Sequence, residues 1–375
     1  MLSGAAPAQA TLLVGPGGFA QLDAAIAAAS PGDFVQVATG TYLPFTCSKG
    51  VTIAAAPGAD VRILPTPSLA AAATVFQIPA GQSARVFGLH FDTAALRVQT
   101  TRVLAGTATF ELCSFTGSFP QSETLLVQNA SAWLRGCQMG ALDSDSPCAA
   151  LRAQNAAVAA VDCDFVGSRA RNSVSDGGPG VDASGSSLHL SRCQLRGGDS
   201  GGSFVGGEAV RTDRGDLTWI SDSVLTAGAA VGIPNVPLHY TGATPPHIAR
   251  TSRNGSFGPP VIQDHLVGFA EATQTLQRGG VYRVDWQTLP NGVLAVLFSD
   301  ELDAQPPILT LESTWLPALG TQWLATLVAD GTGRATFTAT VPNSPALRDI
   351  GVWLHAGDPL ATPWRAAPPV GGLLR

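Results

Sequence analysis

Apolar residues recur in fixed columns along the middle of the chain. Cys113, Cys137, Cys163 and Cys193 occupy one column at intervals of 24, 26 and 30 residues, and Ser223 takes the fifth place after another 30. The positions three, five and ten residues before each cysteine, and two after it, are apolar. Short strands of period two, repeated every 24–30 residues without a helical period, predict a parallel β-helix in which each coil adds one rung.

The amino end adds a helix to this pattern. Residues 19–29 carry apolar side chains at helical spacing, and the stretch "PGDFVQVATGTY…KGVTI" that follows alternates strands and turns. Residues 11–235 therefore resemble the right-handed parallel β-helix proteins of the pectin-lyase-like superfamily. That resemblance implies an all-β fold with an N-terminal capping helix, which covers the core and the strand edges at the open end.

The repeat stops near residue 262, and seven strand-like runs follow it with turn residues between them. Their spacing predicts a small β-sandwich over 262–375. Residues 236–261, rich in Pro, Gly and Thr, are predicted to be a linker. The segment from "ATLVADGTG" to "GVWLHAG" resembles C-terminal modules of large secreted proteins from planctomycete-like bacteria, which implies an extracellular location.

The first ten residues and the composition bear on location and partners. Ala8-Gln9-Ala10 is similar to a signal-peptidase site, so residues 1–10 are interpreted as a signal-peptide remnant of a secreted protein. No apolar run reaches the roughly 18 residues of a membrane span. Charged residues make up 13% of the chain, the net charge is −6, and Lys49 is the single lysine. Nucleic acid is therefore not an expected partner.

The four column cysteines are predicted to point into the core. They are either small buried apolar side chains or partners in at least one disulfide between neighbouring rungs. A metal site is not predicted, because one inward cysteine per rung forms a line and not a tetrahedron.

The pentapeptide GDSGG, residues 198–202, resembles the nucleophile loop of chymotrypsin-type serine proteases. No histidine stands in the Ala-Ala-His-Cys context of that family, so Ser200 is interpreted as part of a glycine-rich connection. The characteristic motifs of pectin methylesterases and polygalacturonases are also absent. The β-helix resemblance thus implies a fold without a transferable catalytic site.

Two outward columns carry candidate chemistry. Four residues before the cysteine column stand Trp133, His189 and Trp219, predicted to form either an exposed strip that stacks on sugar rings or a face covered by a loop or the sandwich. One residue before the column stand Asp162, Arg192 and Asp222, as candidate catalytic groups or as a solvated ion-pair strip. The nearby loops add three more candidate substrate-binding residues: Asp176, Asp199 and Glu208.

Three functions remain open on these grounds. The first is a secreted scaffold or glycan-binding surface whose partner is a polysaccharide or a cell-surface glycan. The second is a polysaccharide lyase or glycoside hydrolase acting on an acidic or neutral glycan. A lyase could use carboxylates to hold calcium and an arginine as the catalytic base. The third is a structural fibre or surface-layer component. No cofactor other than calcium is predicted, and the protein is expected to be a monomer or to self-associate weakly.

Overall fold

The computed structural model describes most of the chain. The described residues are 9–65, 73–92, 101–117, 123–141, 143, 148–171, 175–201, 205–213, 217–230, 236–241, 246–249, 251–254, 262–263, 268–271, 278–287, 291–299, 302–304, 315–317, 322–332, 334–344, 351–358, 365–366 and 370–373. Most of the predicted signal-peptide remnant, residues 1–8, lies outside them.

Three parallel sheets wind around one apolar core. Sheet A contains β1 (Thr11–Val14), β2 (Phe34–Val37), β5 (Thr52–Ala55), β8 (Ser83–Phe87), β11 (Thr107–Glu111), β14 (Ser131–Arg135), β17 (Ala157–Val161), β20 (Ser187–Ser191), β23 (Leu217–Ser221), β26 (His247–Ala249) and β28 (Ile262–Gln263). Sheet B contains β3 (Gly40–Tyr42), β6 (Val61–Ile63), β9 (Leu89–Asp92), β12 (Ser114–Gly117), β15 (Gln138–Ala141), β18 (Asp164–Val166), β21 (Gln194–Arg196), β24 (Val224–Thr226) and β27 (Ser252–Arg253).

Sheet C contains β4 (Thr46–Cys47), β7 (Thr74–Gln77), β10 (Thr101–Ala105), β13 (Leu125–Gln128), β16 (Leu151–Gln154), β19 (Val181–Ser184), β22 (Val210–Thr212) and β25 (Leu238–Tyr240). Each coil visits sheets C, A and B in turn, and equivalent strands of successive coils pair in parallel. This is the predicted parallel β-helix.

The cysteine column forms a single internal file, as predicted. Cys113, Cys137, Cys163 and Cys193 are all buried, and all four are free thiols, which matches the first of the two cysteine hypotheses. Each Sγ donates to the carbonyl oxygen two residues earlier, at 3.2–3.4 Å. Ser223 Oγ makes the same bond to Ser221 at 2.7 Å. A small side chain with a hydrogen-bond donor thus bonds to the backbone at each of these five positions, which explains why Cys and Ser share the column.

A capping helix covers the amino end of the core. Helix α1 (Leu22–Ala28) buries Leu22, Ala25 and Ile26 in the same apolar cluster as the inward residues of the coils. This confirms the expected N-terminal cap. Among the described residues, no helix combines the length and apolarity that crossing a bilayer would require.

A second unit follows the coils and consists of antiparallel strands. One sheet contains β29 (Gly268–Glu271), β30 (Val281–Gln287) and β35 (Arg334–Thr340), and the other contains β31 (Val293–Ser299), β34 (Gln322–Val328), β36 (Gly351–Asp358), β37 (Arg365–Ala366) and β38 (Val370–Leu373). A short pair joins β32 (Leu302–Ala304) to β33 (Trp315–Pro317). Tyr282, Val284 and Trp286 of the first sheet share one apolar cluster with Leu294 of the second, an arrangement consistent with the predicted small β-sandwich.

The coils extend further than the sequence pattern indicated. Residues 236–261, predicted to be a linker, contain β25, β26 and β27, which pair in parallel with the strands of the preceding coil. Strand β28 then pairs with β26. Because these strands are only two or three residues long and separated by Pro and Gly, they resemble a linker in sequence even though they continue the solenoid.

Candidate functional site

The predicted aromatic column exists, but its centre is buried. Strand register places Trp133, Ala159, His189 and Trp219 above one another on the outer face of sheet A. Trp133 is 0% exposed and packs on Ala159, and His189 is 2% exposed. His189 stacks on the half-buried Trp219 with ring centroids 4.4 Å apart. At Trp133 and His189 this burial matches the covered face and not the exposed strip, the two alternatives that the sequence left open.

The outer face of sheet A also contacts the antiparallel C-terminal unit at Val161. Val161, in the strand that also carries Ala159, belongs to the apolar cluster formed by Tyr282, Val284 and Trp286. The five residues of β14 and of β20 are all buried, inward and outward alike. Sheet A is therefore packed on both of its faces at these strands, which the sequence pattern of one coil cannot show.

The predicted catalytic column lies at a turn between sheets A and B. Asp162, Arg192 and Asp222 have φ values of 54°, 51° and 50°, in the left-handed region. Arg192 donates to both carboxylate oxygens of Asp162, with Nε–Oδ1 at 2.7 Å and Nη2–Oδ2 at 2.5 Å. This arrangement places a bidentate ion pair on the row of turns between the two sheets.

Gly198 and Ser200 of the GDSGG segment belong to a layer of closely packed glycine backbones. Hydrogen bonds of 2.8 Å run from Gly228 N to Gly207 O, from Gly207 N to Gly198 O, and from Gly198 N to Gly178 O. Ser200 donates its N–H to Ala229 O in the same layer. Ser200 thus lies in the glycine-rich connection that its sequence context indicated.

Two of the predicted binding carboxylates hold this layer together. Asp176 Oδ1 accepts from Val205 N at 2.9 Å, and Asp199 Oδ1 accepts from Ala229 N at 2.8 Å. Both carboxylates therefore already bond to the backbone of a neighbouring connection.

A polar groove lies on the outer face of sheet C, across its last four described strands. Register aligns Arg152 with Asp182, Asp182 with Arg211, and Arg211 with His239. These residues face outward because Ala153, Ala183 and Leu238, their neighbours in the strands, are buried in the core. The groove has a volume of ≈ 440 Å³.

Carboxylates bind the cations of this row. Arg152 contacts Glu123 and also donates to Asp182 Oδ2 from Nε at 3.2 Å and from Nη2 at 3.1 Å. Arg211 Nη2 donates to Glu208 Oε2 at 2.8 Å, and His239 Nδ1 lies 3.8 Å from Glu208 Oε1. Glu123 is 5% exposed and Arg211 42%, so the groove is anchored at its base and open at its surface.

A second row of polar groups runs beside the first. Gln154, Ser184, Asp213 and Thr241 line the same groove. Thr241 Oγ1 donates to Asp213 Oδ1 at 2.5 Å. Gln154 Oε1 accepts from Gln128 Nε2 of the preceding rung at 3.1 Å. The floor thus presents guanidinium, carboxylate, amide, imidazole and hydroxyl groups at a spacing set by the rungs.

The sequence-based site prediction overlaps this groove at Glu208. A signal for the other residues was present in the repeat. The apolar column ten residues before the cysteines includes Ala153 and Ala183, and period-two alternation places Arg152, Gln154, Asp182 and Ser184 on the opposite face. Arg211 and His239 do not stand at this fixed number of residues before the cysteine column, because the connections between coils vary in length.

A metal centre is not evident in the described part of the chain. There, no group of three or more His, Cys, Asp or Glu side chains is placed to hold an ion.

Comparisons with known proteins give a likeness of fold. No family model matches the chain, and no curated protein matches it. Among solved structures, pectate lyase Pel9A is 13% identical with a TM-score of 0.32, covering 66% of this chain and 77% of its own. WceF of Pantoea stewartii, a glycan biofilm modifying enzyme with a tailspike-like parallel β-helix fold, is 10% identical with a TM-score of 0.23. It matches over 90% of this chain and 58% of its own length. The strand pairing of this chain itself confirms the predicted parallel β-helix.

Proposed function

We propose that the groove on sheet C binds a glycan chain. The observation that carries this proposal is the stacked row Arg152, Asp182, Arg211 and His239, set in a concave surface beside a second row of amide, carboxylate and hydroxyl groups. Its volume of ≈ 440 Å³ is within the range of about 300–1,000 Å³ that is typical of ligand sites.

The chemistry of the lining supports a sugar ligand. Carboxylates and guanidinium groups are planar and bidentate, so each can bond two neighbouring hydroxyl groups at once. Sugars present such pairs of hydroxyls repeatedly along a polymer. A rigid β-helix also holds these side chains in place before the ligand arrives, which lowers the entropic cost of binding.

The experiment compares Arg211→Ala with wild type in affinity electrophoresis through gels containing soluble polysaccharides. Loss of charge-assisted hydrogen bonds of about 1.5–3 kcal/mol weakens retention about tenfold or more. Arg196→Ala is the matched control. Arg196 pairs with a carboxylate three residues away, Asp199, just as Arg211 pairs with Glu208, but Arg196 lies on sheet B and outside the groove. Equal retention of wild type and Arg211→Ala on every retaining polysaccharide would refute the proposal.

Binding and catalysis are separated in the same samples. A scaffold or binding protein leaves the polymer intact, whereas a hydrolase releases reducing ends and a lyase releases unsaturated ends. Product formation that is lost in Asp182→Asn would move the assignment from binding protein to enzyme.

We also propose that the protein acts outside the cell, where such polymers are found. The support is the Ala8-Gln9-Ala10 sequence. N-terminal sequencing of the mature protein tests this, with Thr11 as the expected first residue.

A further inference from the structure

We infer that the glycan bound in the groove of sheet C is neutral, and that uronate-bearing polymers are rejected. This inference rests on the proposed function of the same groove. It follows from how the charges of the lining are already paired.

The first cation of the row is enclosed by carboxylates. Arg152 contacts Glu123, which is buried beneath it, and donates twice to Asp182. A ligand carboxylate that approached Arg152 would compete with two protein carboxylates. A ligand hydroxyl, by contrast, can accept from Arg152 or donate to Asp182 without displacing either of them.

The second cation is also engaged. Arg211 donates to Glu208, and His239 lies near the other oxygen of the same carboxylate. Asp213, in the second row of polar groups, adds a further negative charge and accepts a hydrogen bond from Thr241 Oγ1.

The described residues that line or support the groove therefore carry more negative than positive charge. The four carboxylates are Glu123, Asp182, Glu208 and Asp213, and the two guanidinium groups are Arg152 and Arg211. The whole chain has a net charge of −6. Because a concave protein surface focuses its field, an anionic polymer meets repulsion in the groove and at long range. Neutral hydroxyls encounter no such barrier.

The experiment uses matched ligands. Soluble neutral glucans, galactans and mannans are each tested beside their own C6-oxidised counterparts, in which hydroxymethyl groups have become carboxylates. Affinity is measured with the full chain at low and at physiological ionic strength, with a chelator and with added calcium. We expect the best neutral ligand to lose at least tenfold in affinity on oxidation. We expect the loss to shrink with salt, because salt screens repulsion between exposed charges.

Charge removal within the groove provides the second arm. Glu208→Gln and Asp213→Asn should each reduce the difference in affinity between a neutral polymer and its oxidised form. Asp199→Asn, on the other side of the coil, should leave this difference unchanged. An oxidised polymer that binds as tightly as its neutral parent, with or without calcium, overturns the inference and leaves glycan binding standing. Failure of every neutral and every oxidised polymer to bind overturns the proposed function instead.

Discussion

At the scale of single residues, the cysteine file shows how a core position can be set by the backbone. Each thiol donates across a left-handed turn residue to the carbonyl on its far side, and Ser223 does the same with its hydroxyl. A small side chain with a donor is needed there, and its apolar surroundings favour sulfur. The shared column of Cys and Ser in the sequence therefore reflects a turn closure.

The state of these thiols can be measured. Burial raises the pKa of the Cys113 and Cys163 thiols, and it raises the pKa of Cys47 to about 11. Because the thiolate is the reactive form, we expect these three residues to resist alkylation in the native protein at pH 8. Mass spectrometry of the alkylated protein identifies which residues react.

Unfolding serves as the control for this measurement. In denaturant without reductant, all six cysteines of the chain should react. Fewer than six would show that at least one disulfide had formed, and would favour the alternative hypothesis for the file.

Trp133 belongs to the interior, and its substitution should show this. Truncation of a fully buried tryptophan costs about 3–5 kcal/mol, so Trp133→Ala is expected to lower the free energy of unfolding strongly in denaturant titrations. Trp323, which is 55% exposed, supplies the control, and Trp323→Ala should change stability little. A stable Trp133→Ala protein would mean that the outer face of sheet A is open after all.

At the scale of elements, the long connections between sheets B and C are held by glycine. Gly178, Gly198, Gly207 and Gly228 bond to one another through their backbones, and a Cβ atom on any of the four would overlap a neighbouring carbonyl oxygen. This close approach requires glycine whatever the backbone angles are. It explains why a protease-like string occurs in a chain that lacks the protease fold.

Substitution within this layer should be costly. Gly198→Ala places a methyl group against the carbonyl oxygen of Ser168, so we expect a loss of about 1–3 kcal/mol in unfolding free energy, as for other overpacked sites. Gly140→Ala is the matched control, since nothing lies within 4 Å of its added Cβ. Equal melting temperatures for the two variants would contradict the packed-layer interpretation.

At the scale of the whole molecule, the antiparallel C-terminal unit packs against sheet A of the solenoid. It contributes Tyr282, Val284 and Trp286 to a cluster that includes Val161 of sheet A. The groove on sheet C, by contrast, retains exposed polar groups. The candidate site thus lies on a different sheet from the one that contacts the second unit at Val161.

A charge placed in this contact should separate the two units. Val161→Asp buries a carboxylate among apolar side chains, which costs about 2–4 kcal/mol. We expect calorimetry to show a lower melting temperature and a transition that broadens or divides. Val224→Asp, on the exposed side of sheet B, should melt like wild type. An unchanged transition for Val161→Asp would show that Val161 is not part of a stabilising contact.

The sequence by itself determined the coil. Its period, the inward columns, the cysteine file and even the register at Trp219 follow from alternation along the chain, because side chains of successive rungs must stack in a parallel ladder. The capping helix follows from the helical spacing of apolar residues before the first coil. Only the tertiary structure decided which outward column remains accessible. Trp133 and His189 are buried although they face outward, and Val161 of the same sheet packs against residues more than a hundred positions away. The alignment of Arg152, Asp182, Arg211 and His239 needs connections whose lengths break the repeat. Alternation along a strand determines whether a side chain points into the core or outward, and packing between distant segments determines which groups an outward side chain contacts.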